Sequence, residues 1–341
     1  MTPASPHAIV ELDGQRFDSW RDEGLFAAVE AELTTDQASE TVWQIFDPDF
    51  KFIDRFTSAD GVALLPASVW LGFAEDPGEP VFKGLLASVE RGAETTSFRF
   101  YDMGYRMRLR QHTEYHKKMD NVGIIGKLAK RNGLQFQGPN PPIKIEKHNS
   151  TRQEAETDWE FARKLAVDAG LVLYVRGDTL FAQEAAKVGK PVATLAYRRD
   201  FQLLKDFSFR FKVPENLEGR PGEVEARGRG RGGKRLTGQS SKHGRGTKRI
   251  MLRRSLKSKT KRGADSRAQA RKELEREHAF INSLRTLPEW TGQRPDVRET
   301  IEVLNVGLLF SGKYICDRVA HSMSPGKLVT SIDFYRDIKT T

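Results

Sequence analysis

Five sets of residues in this chain have types and spacings that could do chemistry. His112-Thr113-Glu114-Tyr115-His116 sets two histidines four apart, which on a helix would share one face and could approach a metal. The stretch has no third convergent ligand in sequence and is not the H-E-x-x-H pattern, so it reads as an exposed linker. Cys316 and His321 lie close together, yet adjacency does not make a nucleophile and its base; Cys316 reads as a small packed apolar residue and His321 as structural. Asp158 with Glu160, and Asp54 with Glu75, supply carboxylates but no geometry for acid–base work. The glycines of Gly228 to Gly233 lack the G-x-x-x-x-G-K-[ST] spacing of a phosphate loop, and Gly123 with Gly126 form no dinucleotide motif.

The fifth set is a charge run. From Ala226 to Ala264 there are 15 Lys or Arg and no acidic residue, whereas the whole chain carries a net charge of +10. Removing the run leaves about −5 for the other residues, so the basicity is local and the body is mildly acidic. Arg227, Arg229, Arg231, Lys234, Arg235, Lys248, Arg249, Arg253 and Arg254 are the candidate contacts to a polyanion or protein partner. Glycine flexibility with dense positive charge suits an arm that tracks phosphates. The plainer reading, an extended hairpin whose charges face an acidic neighbouring protein or solvent, is favoured. No aromatic residues are interleaved for base stacking, which weighs against single-strand binding. No enzyme, metal or cofactor emerges from these five sets.

The elements that would position these residues fall into three blocks. Composition frames them: 341 residues with 38% hydrophobic and 9% aromatic content can bury a substantial core. One cysteine excludes an internal disulfide framework, the N-terminus lacks a signal-peptide pattern, and no apolar run approaches a membrane span. Assembly in a reducing cytosol, without membrane anchoring, is the expectation. Residues 1–117 form the first block, where about six strand-like runs separated by turns suggest an antiparallel barrel or sandwich. They are Ala8 to Leu12, Gly24 to Leu33, Trp43 to Ile53, Val62 to Leu71, Val81 to Val89 and Thr95 to Tyr101.

Residues 118–190 form an α/β unit. Asp120 caps a helix that runs to Asn132, with Ile124, Ile125 and Leu128 inward and Gly133 as its stop. A second helix is expected from Ser150 or Thr151 as cap, with Gln153 or Glu154 closing a capping box and Phe161, Leu165 and Ala169 inward. Gly170 would end it in a left-handed cap, and a hairpin follows through Arg176-Gly177-Asp178. Residues 191–341 return to strands, interrupted by the basic segment 226–264 and by a helix over 265–286. That helix would turn Ala268, Leu274, His278 and Ile281 inward. Leu328, Thr330, Ile332 and Phe334 alternate on one side of the last strand.

Several stretches together resemble one family. Asp158-Trp159-Glu160-Phe161 and the hairpin Leu173 to Leu180 are similar to the middle of phage late control D proteins, the baseplate hubs of contractile tails. The same likeness extends to the hub portion of type VI secretion spike proteins. Phe310-Ser311-Gly312-Lys313-Tyr314, Val319 to Gly326, Phe100-Tyr101-Asp102 with its following arginines, and the small-residue helix from Ala264 match in the same order. The resemblance implies two antiparallel β-barrel tube domains with an α/β insertion. It implies a homotrimer whose six barrels form a pseudo-sixfold ring between a hexameric tail tube and a trimeric spike. Its implied partners are the tube or tube-initiator protein, a separate central spike, and the tape measure and baseplate wedge proteins, with DNA passing the lumen. The place would be the virion tail baseplate, assembled in the host cytoplasm. Some relatives continue into a further barrel and needle, whereas this chain stops at Thr341. The resemblance offers no account of the basic segment, where relatives make a short turn.

Overall fold

The computed structural model describes residues 5–22, 24–35, 37–49, 52, 56, 64–73, 78–140, 148–184, 188–197, 204–211, 225–229, 235–239, 280–286, 295–307 and 310–335. That part is mainly β. It opens on a hairpin, β1 (His7–Leu12) and β2 (Gln15–Asp18), turned by Asp13 and Gly14 at φ 49° and 77°. Two successive positive φ values make the tight turn that matches the strands' own twist. β2 is short and mostly polar, and lies outside the six expected runs.

The expected first-block strands follow as β3 (Phe26–Thr34), β4 (Glu40–Phe46), β5 (Pro66–Gly72), β6 (Phe82–Arg91) and β7 (Thr95–Asp102). In β3 a register shift falls between Phe26 and Ala28. A one-residue slip exchanges the faces, so Phe26 is buried ahead of Val29 and Ala31. Trp43 sits wholly buried at the centre of this core, with the rings of Phe17, Phe26, Phe52 and Phe98 at 5.3 to 5.5 Å. Met323 and Leu328, from the far end of the chain, complete the same cluster.

After a 3₁₀ helix (Met103–Arg108) come β8 (Gln111–Met119), α1 (Asn121–Arg131), β9 (Gln135–Gln137), β10 (His148–Thr157) and α2 (Asp158–Ala169). The hairpin β11 (Leu171–Arg176) and β12 (Thr179–Glu184) closes this unit. α1 has the expected cap: Asp120 accepts from the Gly123 N–H at 2.7 Å, and Ile124, Ile125 and Leu128 are buried. α2 corrects the expected start. Ser150 and Thr151 lie in β10, paired with β8, and the capping box is Thr157 with Glu160. Eight residues that could have begun a helix instead join a strand, because β8 offers them a ladder. Gly170 does end α2, at φ 73°, where a side chain would be strained.

The last strands are β13 (Ala193–Ala196), β14 (Leu204–Phe211), β15 (Glu225–Arg229), β16 (Arg235–Gln239), β17 (Phe280–Thr286), β18 (Thr300–Leu304), β19 (Gly312–Ser324) and β20 (Lys327–Tyr335). Leu328, Thr330, Ile332 and Phe334 are all buried, as their alternation requires. The helix expected over 265–286 is corrected at its end: β17 is a strand between β14 and β20, antiparallel to both. Phe280 and Ile281 suit a pleated surface as well as a helix stripe, and two flanking strands decide the matter. Residues 265–279 lie outside the described part.

One 13-stranded sheet runs β14-β17-β20-β19-β3-β4-β7-β6-β5-β1-β2, with β18 also on β19 and β13 parallel to β18. Both strand blocks therefore share a sheet, joined where β19 pairs with β3 from Arg318 opposite Thr34 to Met323 opposite Val29. Among the described residues the sheet does not close into a barrel. Among the described residues, the buried apolar side chains form three clusters: one in the first block, one in the helix unit, and one around Tyr314, Cys316, Val319, Ile332 and Phe334.

Candidate functional site

The seam between the strand blocks carries polar as well as ladder contacts. Arg318 donates from Nε and Nη2 to the two carboxylate oxygens of Glu32, at 2.6 and 2.5 Å, and from Nη1 to Asp333 at 3.3 Å. A planar guanidinium fits a carboxylate in this two-pronged way. These hydrogen bonds hold the Arg318 pKa above its ordinary value, against the opposing effect of burial. The Thr35 hydroxyl donates to Asp317 at 2.8 Å just beyond the ladder. A register shift between Cys316 and Arg318 on β19 resets the faces, so Val319 is buried while Arg318 stays half-exposed.

A second joint links the first block to the helix unit. Asp102, almost wholly buried, accepts from the Ser39 N–H at 2.7 Å and the Gly104 N–H at 2.9 Å. Burial pushes its pKa up to about 6, against the pull of Arg108 and the two N–H groups. Arg108 stacks its guanidinium 3.8 Å from the Trp159 ring of α2, and burial lowers its pKa while Asp102 opposes. A Cβ on Gly104 would lie 2.8 Å from Val175 Cγ2 and 2.9 Å from Asp102, so only glycine lets the corner approach α2 and β11.

The helices are pinned to each other by a third cluster. Asp158, at the first position of α2, accepts from Arg131 Nε at 3.0 Å, Asn132 Nδ2 at 2.7 Å and Gln153 Nε2 at 3.0 Å, with a further bond from Arg131 Nη2. Burial works to raise the Asp158 pKa, but these donors outweigh it and hold it below the carboxylate range. Glu114 of β8 takes Lys127 and Arg131 of α1, so the ribbon, α1 and α2 share one network.

All three parts meet around a cavity of about 570 Å³ lined by Leu33, Phe82, Lys83, Arg176, Asp296 and His321, among others. Ion pairs cross its rim: Arg176 with Asp296 at 2.8 Å and Lys83 with Asp178 at 3.4 Å. Burial raises the Asp296 pKa and Arg176 opposes it. With every named rim charge paired, the geometry holds surfaces together.

The reactive residue types are kept apart. His112 and His116 lie on strand β8, not on an exposed linker or a helix, and four strand residues span about 13 Å, too far to share a metal. His116 is buried and stacked 5.6 Å from Phe161, where burial lowers its pKa and Glu114 opposes. Cys316 is buried opposite Phe334, its thiol pKa pushed up by burial, while His321 sits farther along β19 bonded through Nδ1 to the Thr330 hydroxyl at 2.8 Å. Glu160 completes the cap of α2. Asp54 and Glu75 lie outside the described residues. Of the candidate contacts, Arg227 and Arg229 stand on β15 and Arg235 on β16; Arg231, Lys234, Lys248, Arg249, Arg253 and Arg254 lie outside the described part. The seam residues Glu32 and Arg318 are absent from the sequence-based candidates, because nothing local marks a pair 286 positions apart.

No protein-family model matches this sequence, and no curated protein matches it. Solved structures do. A tail protein from Neisseria meningitidis MC58 superposes with a TM-score of 0.69 at 15% identity, over 98% of this chain and 97% of its own. The 43 kDa tail protein of prophage MuSo2 from Shewanella oneidensis gives 0.68 at 12% identity, over 98% and 99%. The E. coli c3393 protein is a type VI secretion component described as structurally similar to the T4 tail proteins gp27 and gp5. It gives 0.61 at 8% identity, over 96% of this chain and 76% of its own. At such identities the likeness is one of architecture: nearly the whole chain has the fold of these tail proteins.

Proposed function

We propose that this chain is a structural hub protein of the late control D kind, in the baseplate of a contractile phage tail or a related injection system. It acts as a homotrimer. Residues 1–117 and 191–341 each supply a tube domain of barrel type, and residues 118–190 form the insertion between them. Six such domains in a ring give pseudo-sixfold symmetry toward a tail tube or tube-initiator protein and threefold symmetry toward a separate central spike. Tape measure and baseplate wedge proteins are further neighbours, and DNA crosses the lumen. The protein resides in the virion after assembly in the host cytoplasm, and it is not an enzyme.

The observation that carries this reading is the shared fold with tail proteins over 98% of the chain. The seam adds physical support: β19 on β3 makes the two strand blocks one sheet, so a protomer can present two similar units at a fixed spacing. Solution mass and particle images test it. Native mass spectrometry should give a trimer, and mixing with the cognate spike and tube proteins should give threefold rings in negative stain. A protomer that stays monomeric and forms no ring with either partner overturns the reading.

A further inference from the structure

The ribbon of β8 and β10 joins no larger sheet among the described strands: the two pair only with each other. Two-stranded ribbons are marginal in water, so its order depends on what its inner face meets. Thr151 stands opposite His116 and Gln153 opposite Glu114, and because faces alternate along a strand these four share one face. That face meets α1 through Lys127 and Arg131, both bonded to Glu114. It meets α2 through Phe161, whose ring lies 5.6 Å from His116, and through Asp158, which accepts from Gln153 Nε2 at 3.0 Å.

His116 is 1% exposed, and neither ring nitrogen has a hydrogen-bond partner among the described residues. The charges around it already balance. Glu114 of β8 and Asp158 of α2 are negative, Lys127 and Arg131 of α1 are positive, and the four are bonded among themselves. Glu156, farther along β10, is taken by Lys164 of α2. A proton on His116 would add a third positive charge, while Glu114 on its own strand is already shared by the two cations. Burial, with Lys127 and Arg131, opposes that proton more than Glu114 and Gln153 favour it, so the ring's pKa lies below its ordinary value. A ring released to water takes its proton near pH 6.5 instead.

We propose that the β8–β10 ribbon is an acid-sensitive strap: protonation of His116 loosens it from α1 and α2 while the large sheet stays paired. The strap does not depend on the hub reading, whose test is the trimer mass. Because the ordered ribbon holds the ring neutral, its order is fully supported above about pH 6.5 and is lost as pH falls below that value. About one unit lower, the ordered state is disfavoured about tenfold. Hydrogen exchange of the full-length protein at about pH 7.5 and about pH 5.5, with labelling times scaled to the intrinsic rate, reads this locally. Protection in β8 and β10 should fall about tenfold at the lower pH, and the β3–β19 ladder should hold. His116→Phe keeps an aromatic ring on Phe161 and cannot titrate, so its ribbon protection should change less than about twofold with pH. His116→Gln, also neutral, serves the same purpose if Phe overfills the site. Lys127→Met removes one competing cation and frees Glu114 for the protonated ring, so it should suppress the loss too, which a merely structural histidine would not do. Asp102, with its pKa raised to about 6, titrates in the same window but works the other way, since acid favours its folded state. Unchanged ribbon protection in the wild type overturns the proposal. So does the full loss in His116→Phe and His116→Gln or in Lys127→Met, or a loss that spreads equally to β3 and β19.

Discussion

The helix unit and the seam between the strand blocks hold their parts together by different means. In the helix unit each device acts over a few residues: Asp120 on Gly123, Thr157 on Glu160, Gly170 at the end of α2. At the seam, Arg318 meets Glu32 across 286 positions, and the first-block core is completed by Met323 and Leu328. Short-range chemistry decides what each segment becomes; long-range pairing decides what the molecule becomes. The entropy of closing a long loop grows only with the logarithm of its length. A seam of this kind can therefore carry the basic segment 226–264 between its halves at little cost, whereas a helix cap tolerates no insertion at all.

Large-to-small substitution in the first-block core probes that contrast most strongly. Phe98 is wholly buried against Trp43 and Phe52, and Phe98→Ala should cost about 3–5 kcal/mol. If the seam and the first block form one unit, hydrogen exchange should rise in β19 and β3 together while α1 and α2 stay protected. Equal loss of protection in the helices would erase the distinction between the two regions.

The two buried aspartates separate the regions by pH. The folded-state pKa of Asp102 is raised from 3.8 to about 6, so below about pH 4 both folded and unfolded chains hold the proton. Between about pH 4 and 6 the unfolded chain releases it first, and stability falls by up to about 3 kcal/mol before levelling off above pH 6. Asp158 has the opposite sign: its pKa is depressed, so its stabilisation is present above the ordinary carboxylate range and is lost as pH falls through the depressed value. Denaturant titrations of wild type and Asp102→Asn at pH 4, 5, 6 and 7 should show a gap that changes across pH 4–6. A constant gap would mean that Asp102 ionises in the fold as it does in water.

Asp158→Ala should cost about 2–3 kcal/mol, because it strands donors from Arg131, Asn132 and Gln153 around a buried position. Arg131 keeps Glu114, which limits the loss. The damage should stay local. Amide exchange should quicken in α1 and α2 while the β3–β19 ladder remains protected, the mirror image of the Phe98→Ala result.

This division also explains which parts of the molecule were legible in the sequence. α1, its Asp120 cap, the Gly170 stop and the β11–β12 hairpin follow from spacing, because the groups that make them are neighbours in the chain. α2 starts at Asp158 behind a Thr157 cap, later than Ser150 or Thr151 would place it. Ser150 and Thr151 are good caps in isolation, but β8 offers their backbone a ladder, and partners 33 and 35 positions away in sequence have no local signature (Ser150 pairs with Lys117, Thr151 with His116). β17 fails in the same way, since Phe280 to Thr286 is held by strands on both sides. The bulge in β3 buries Phe26, which a strict alternation with Val29 and Ala31 would turn outward.

The smallest expected effect bears on the seam itself. Arg318 with Glu32 and Asp333 is the most conspicuous polar contact there, and geometry alone would rank it as the lock. Its side chain is 43% exposed and Glu32 is 35% exposed, so water and salt screen the pair. The six registered pairs from Arg318–Thr34 to Met323–Val29 are backed on their inner face by Val29, Ala31, Val319 and Met323, which are buried. Arg318→Met keeps the aliphatic stem over the strand and removes the charge together with the hydrogen bonds to Glu32 and Asp333. It should lower stability by about 1 kcal/mol or less at 50 mM salt, and the deficit should shrink further at 500 mM. A loss above about 3 kcal/mol, unchanged by salt, would make the ion pair the lock and the ladder its consequence. The seam would then be specified by one side chain, as a helix cap is, and the contrast between the two regions would collapse.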